Sequence, residues 1–74
     1  MEDSQIIELY WQRSEHAITE TSNKYSRLLL SIALNILGNY SDAEECENDT
    51  YVAVWNTIPP TRPNIFSAFL SKIV

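Results

Sequence analysis

Five of the ten acidic residues of this 74-residue chain, Asp42, Glu44, Glu45, Glu47 and Asp49, fall in one short run. Carboxylates at that density can hold a metal, exchange protons or meet a basic partner. A di-metal site in a helical bundle draws Glu and Glu-x-x-His ligands from several inward-facing helices. Here the carboxylates crowd one segment, and no matching set occurs elsewhere. The only histidine, His16, falls on the polar side of its segment near Glu15 and Glu20, where an imidazole is a solvated surface group rather than a positioned base. No glycine-rich phosphate cradle and no nucleophile elbow is present. Cys46 is alone, which excludes an internal disulfide and a cysteine-based zinc site and suits a reducing cytoplasm. The expectation is a protein that is not an enzyme and carries no cofactor or metal.

The acidic run opens a segment with helical periodicity over residues 41–58. Ser41 and Glu44 have the spacing of a capping box. On a 3.6-residue period Ala43, Cys46, Thr50, Val54 and Ile58 share a face, with Tyr51 and Trp55 beside it. Glu45, Asn48, Asp49, Val52 and Asn56 fall opposite. One side is made to bury, with Cys46 read as a small hydrophobe in it. The other suits a basic partner, although acidity early in a helix also stabilises the helix through its dipole, and composition favours neither role. Trp11 and Trp55 are expected as packing anchors, Trp55 bordering the acidic face.

The elements around this segment are also expected to be helical. Ile7, Tyr10, Trp11, Ser14 and Ile18 mark a first helix over residues 4–21, with Ser4 as cap and a break or bend near residues 19–23. Residues 24–37 are apolar almost all round, which predicts a central helix covered by neighbours, stopped at Gly38. Pro59-Pro60 ends the third helix, and Ile58 to Pro63 forms a stiff loop with Arg62 at its tip. Asn64 is placed to cap a fourth helix carrying Phe66, Phe69, Leu70 and Ile73, still in register at Val74. The expected fold is all-α, a compact bundle of three to four helices around one core, in one domain over residues 1–74 whose last helix is cut short.

A single glycine, and three prolines confined to residues 59–63, favour long helices over a many-turned β fold. The net charge of −5 argues against binding nucleic acid by bulk electrostatics. The acidic start, Met1-Glu2-Asp3-Ser4, lacks the order of a signal peptide, and no apolar run reaches the roughly 20 residues of a membrane span. A cytoplasmic protein without membrane attachment is expected.

Residues 42–58 resemble the core-binding helix of bacterial sigma factors, whose pattern runs Asp-Ala-Glu-Asp-(Leu/Val)-x-Gln-Glu-x-(Phe/Tyr)-x-x-(Leu/Val)-Trp. The chain has Asp42-Ala43-Glu44-Glu45-Cys46-Glu47-Asn48-Asp49-Thr50-Tyr51-Val52-Ala53-Val54-Trp55. Pro59-Pro60-x-Arg62-Pro63 and Phe69-Leu70-x-Lys72-Ile73 are similar to the continuation in extracytoplasmic-function (ECF) members of the sigma-70 family from Gram-positive bacteria. Glu45, Asn48, Asp49 and Cys46 depart conservatively from the pattern. The resemblance covers essentially the whole chain as the family's second region.

The resemblance implies that the third helix docks on a basic coiled coil in the clamp of the largest RNA polymerase subunit. Glu45, Asn48 and Asp49 match the family's polar contacts, and Val52 and Trp55 the apolar positions beside them. It implies further that the loop captures a flipped base of the promoter −10 element and helps melt the duplex. The residues carried over as DNA-binding are Pro60, Thr61, Arg62 and Asn64. The family continues with a basic stretch of helix, a linker and a helix-turn-helix domain (region 4), so the chain is expected to be a fragment or a truncated product with weak DNA binding alone. The alternative is a truncated regulatory module that binds polymerase or an anti-sigma factor without initiating transcription. Phe66, Phe69 and Ile73 leave a homodimer through the unfinished helix open.

Overall fold

A computed structural model describes the whole chain, residues 1–74, as four helices and no strand. They are α1 (Asp3–Trp11), α2 (His16–Leu37), α3 (Tyr40–Thr57) and α4 (Phe66–Ile73). The bundle measures 35 × 21 × 20 Å. Its core joins Ile6, Ile7 and Tyr10 of α1, Ala17 and Leu29 of α2, Tyr51 and Val54 of α3, Ile58, and Phe66 and Leu70 of α4. The all-α bundle expected from periodicity is the fold observed.

The first boundary differs from the expectation. The chain breaks at Gln12–Glu15, and α2 then runs unbroken through residues 19–23. Those residues weaken an isolated helix because their side chains compete for backbone groups. Packing overrides that preference here. Thr21 is fully buried, its hydroxyl donating to the Ala17 carbonyl at 2.8 Å and lying 2.7 Å from the Tyr10 hydroxyl. A residue that looked like a breaker is thus the polar tie between α1 and α2. A second tie sits at the other end of α1, where Asp3 accepts from Lys24 and Tyr25, each at 2.8 Å.

The start of α1 is capped by Glu2 and Gln5, each side chain paired with the other's backbone, rather than by Ser4. The stop of α2 follows expectation. Gly38 adopts φ 69°, and its N–H donates to the Leu34 carbonyl. That left-handed residue turns the chain so that Asn39 is extended and becomes the cap of α3, its Oδ1 accepting from the Asp42 N–H at 3.1 Å. Ser41 is therefore already inside the helix, and the Ser41–Glu44 capping box does not form. Likewise α4 starts at Phe66 behind an extended Ile65, with no side-chain cap from Asn64.

The central helix is less covered than its composition predicts. Leu29 and Ala33 are buried, but Leu28, Ile36 and Leu37 are 41%, 69% and 47% exposed. The cause is length. The nine residues of α1 span about 14 Å and the 22 of α2 about 33 Å. Tyr10 meets Thr21 and Asp3 meets Tyr25, so α1 runs antiparallel along only the first half of α2.

Candidate interaction site

On α3 the expected buried face is realised. Ala43, Thr50, Tyr51, Val54 and Ile58 are buried and Cys46 is half-buried, its thiol 3.8 Å from the Val74 carbonyl. Tyr51 donates its hydroxyl to Glu47 one turn back. Burial, then the carboxylate that accepts its proton, raises the Tyr51 pKa well above the ordinary phenol value. Glu47 is thereby turned toward the packed side of the helix.

The opposite face holds Glu45, Asn48, Asp49 and Asn56, all exposed, around Val52, which is 59% exposed. Neither ion pair of the chain involves Glu45 or Asp49. The surface therefore offers carboxylates and an amide free of internal partners, set around one apolar side chain. Trp55 sits at its edge, half-buried. One side of its ring is covered by the Arg13 guanidinium, 3.7 Å from the ring centroid. Helical periodicity brings Glu45, Asn48, Asp49 and Val52 together as expected, with Trp55 at the margin. No group of three His, Cys, Asp or Glu side chains has the geometry to hold a metal ion.

The loop between α3 and α4 begins at buried Ile58 and runs out through exposed Pro60, Thr61, Arg62 and Asn64. Arg62 does not extend freely into solvent. Its guanidinium donates to the Glu8 carboxylate at 2.7 Å and lies over the Trp11 ring, 4.4 Å from the centroid. Between α1 and the loop runs an open groove of about 640 Å³, whose polar lining is Ser4, Gln5, Glu8 and Gln12 on one side and Arg62 and Asn64 on the other. The indole nitrogen of Trp11, the ring that Arg62 covers, is buried without a hydrogen-bond partner. Sequence reading missed the contributions of Gln5, Glu8, Gln12 and Arg13. The contacts join residues 42 to 54 positions apart, and local periodicity carries no signal over that distance. The α4 end of the loop is held by Phe66, whose ring meets Tyr10 and Tyr25 edge-on.

The sigma-70 region 2 family profile matches residues 22–74, a span that holds α3, the loop and α4. The chain belongs to the sigma-70 region 2 family. This is a family of transcription-factor domains rather than enzymes, and membership gives the chain a role in sigma-factor transcription initiation, with core RNA polymerase and promoter DNA as the partners the family implies. Searches of curated proteins and of solved structures return no match. No helix of this region 2 domain is long and apolar enough to cross a membrane. Residues 1–21, which supply Glu8, Trp11 and Arg13, precede the matched span.

Proposed function

We propose that this region 2 domain is of the ECF type and docks through α3 on the clamp coiled coil of the largest RNA polymerase subunit. The observation that carries the reading is the free outward face of α3. Glu45, Asn48 and Asp49 stand ready for charge-assisted hydrogen bonds to a basic helix pair, and Val52 supplies a small apolar centre. Trp55 adds an indole edge at the C-terminal border. Opposite charge across such an interface speeds encounter and fixes register, while the buried centre slows release.

The loop is the proposed promoter contact. Pro60 and Pro63 stiffen it, which lowers the entropic cost of holding an unpaired base. The groove beside it is bordered by Arg62, Asn64, Gln5 and Glu8, groups able to meet a base edge, while Thr61 and Arg62 can meet a phosphate. With a net charge of −5 and one loop arginine already neutralised by Glu8, affinity for DNA outside a polymerase complex is expected to be weak.

The exposed Leu28, Ile36 and Leu37 on α2 favour a second reading, in which the domain binds a further protein such as an anti-sigma factor without initiating transcription. A pull-down on core polymerase tests the first. Retention that survives Glu45→Lys and Asp49→Lys unchanged refutes docking through this face. Promoter-dependent transcription by the full factor separates initiation from mere sequestration.

A further inference from the structure

The turn between α1 and α2 has a backbone made for glycine and carries an arginine. Arg13 has φ 56°, and it is the only non-glycine residue of the chain with positive φ. Its N–H donates to the Tyr10 carbonyl and the next N–H, of Ser14, donates back to Leu9, each at 3.0 Å. That pair of bonds is a Schellman stop, whose left-handed position glycine fills most easily. A bulky residue held in that conformation points to a side chain that is needed where it lands.

It lands on the end of α3. One guanidinium nitrogen, Nη1, donates to the carbonyls of Trp55 at 2.8 Å and Ile58 at 3.0 Å, and the guanidinium plane covers the Trp55 ring. The need for these bonds is written in the sequence of the loop. In a continuing helix the Trp55 carbonyl would accept from the N–H of residue 59, but residue 59 is proline and has none. Arg13 replaces the missing donor from a different helix, and its positive charge sits at the negative end of the α3 dipole. The second carbonyl it holds, that of Ile58, is the point from which the loop departs.

We propose that Arg13 is a positioning residue that sets, from outside the docking helix, both the plane of the Trp55 indole and the exit direction of the 58–65 loop. A planar fork with a delocalised charge can stack and donate at once, which a lysine ammonium cannot. The functional consequence rests on the reading above, that α3 docks on polymerase and the loop meets promoter DNA. The positioning itself concerns the free chain.

The test compares Arg13→Gly, which keeps the left-handed turn and deletes only the side chain, with Arg13→Lys, which keeps a charge without the fork. Amide hydrogen exchange at Ile58 and Thr61, whose N–H groups donate to the Val54 and Thr57 carbonyls, is expected to quicken about tenfold in Arg13→Gly, with Tyr10 and Leu29 in the core unchanged. Acrylamide quenching of Trp55, read in a Trp11→Phe background, is expected to rise about twofold, and Arg13→Lys is expected to recover part of the loop protection but not the shielding of the indole. Loop exchange and quenching equal to the parent's overturn the proposal. So does a uniform quickening of core and loop together, which would make Arg13 a general stabiliser. Neither readout involves polymerase or DNA, so a failed pull-down refutes the docking reading and leaves this result standing.

Discussion

The outer face of α3 and the loop that follows it are neighbours in sequence and opposites in readiness. On α3, Glu45 and Asp49 have no cationic partner in the chain, and Val52 is open to solvent. On the loop the one cation, Arg62, is engaged twice, by the Glu8 carboxylate and the Trp11 ring. A partner can meet the first surface without disturbing anything. A partner for the second must first take Arg62 from α1. The proposed docking therefore requires no internal rearrangement, whereas the proposed DNA contact requires Arg62 to exchange partners.

The largest loss should follow from removing what holds the loop end of the bundle. Phe66→Ala deletes a fully buried ring packed on Tyr10 and Tyr25, and should cost about 3–5 kcal/mol in urea unfolding. In so small a core both regions should be lost together. An α3 that stays folded while α4 and the loop melt would mean that they are separate cooperative units.

A milder change tests the tie between α1 and α2. Tyr10→Phe removes the hydroxyl beside Thr21, which keeps its own bond to the Ala17 carbonyl, so a loss of about 1 kcal/mol is expected in thermal unfolding. The neighbouring tie makes its own statement about pH. Burial, then the Asp3 carboxylate that accepts its proton, pushes the Tyr25 hydroxyl up to about 12 from 10.0. The folded state therefore binds that proton more tightly than the unfolded state. Its contribution is complete below pH 10 and fades as pH climbs toward 12. Asp3 behaves in the opposite sense. Burial alone would raise it, but the hydrogen bonds from Lys24 and Tyr25 prevail and hold it below 3.8, so its contribution is present above that value and fades as acid protonates it. Circular dichroism melts across pH should show a plateau bounded on both sides. Tyr25→Phe should remove part of the alkaline edge, the remainder coming from Tyr10 and Tyr51, whose hydroxyls burial also raises.

The ion pair that holds Arg62 should matter least to stability and most to DNA contact. Glu8→Gln breaks an ion pair whose side chains are about half exposed, so stability should shift by only about 0–1 kcal/mol. Arg62 is then free of its competing carboxylate, and affinity for single-stranded −10 DNA in a polymerase complex should rise severalfold, as filter binding would show. Unchanged affinity would mean that Glu8 does not hold the loop back.

Much of this was legible in the sequence because it is local. The two faces of α3, the turn at Gly38 and the stop at Pro59 follow from periodicity and from backbone chemistry that acts over a few residues. The boundary between α1 and α2 was misplaced because Thr21 looks like a breaker until Tyr10 gives its hydroxyl a buried partner. The caps at Ser41 and Asn64 failed because the αL turn at Gly38 and the extended Ile65 shift each helix start. The coverage of α2 was overstated because composition says nothing about how short its neighbours are. The state of Arg62 could not be read at all. Its tip position marks it as a contact residue, yet Glu8 and Trp11 lie some fifty residues away.

Docking through the outer face of α3 is tested by titration calorimetry against an isolated clamp coiled coil. The chain should bind, the affinity should fall as salt rises, and Asp49→Lys or Glu45→Lys should weaken it at least about tenfold while helix content is unchanged. Equal affinity of parent and charge-reversed chains for the coiled coil would contradict the account.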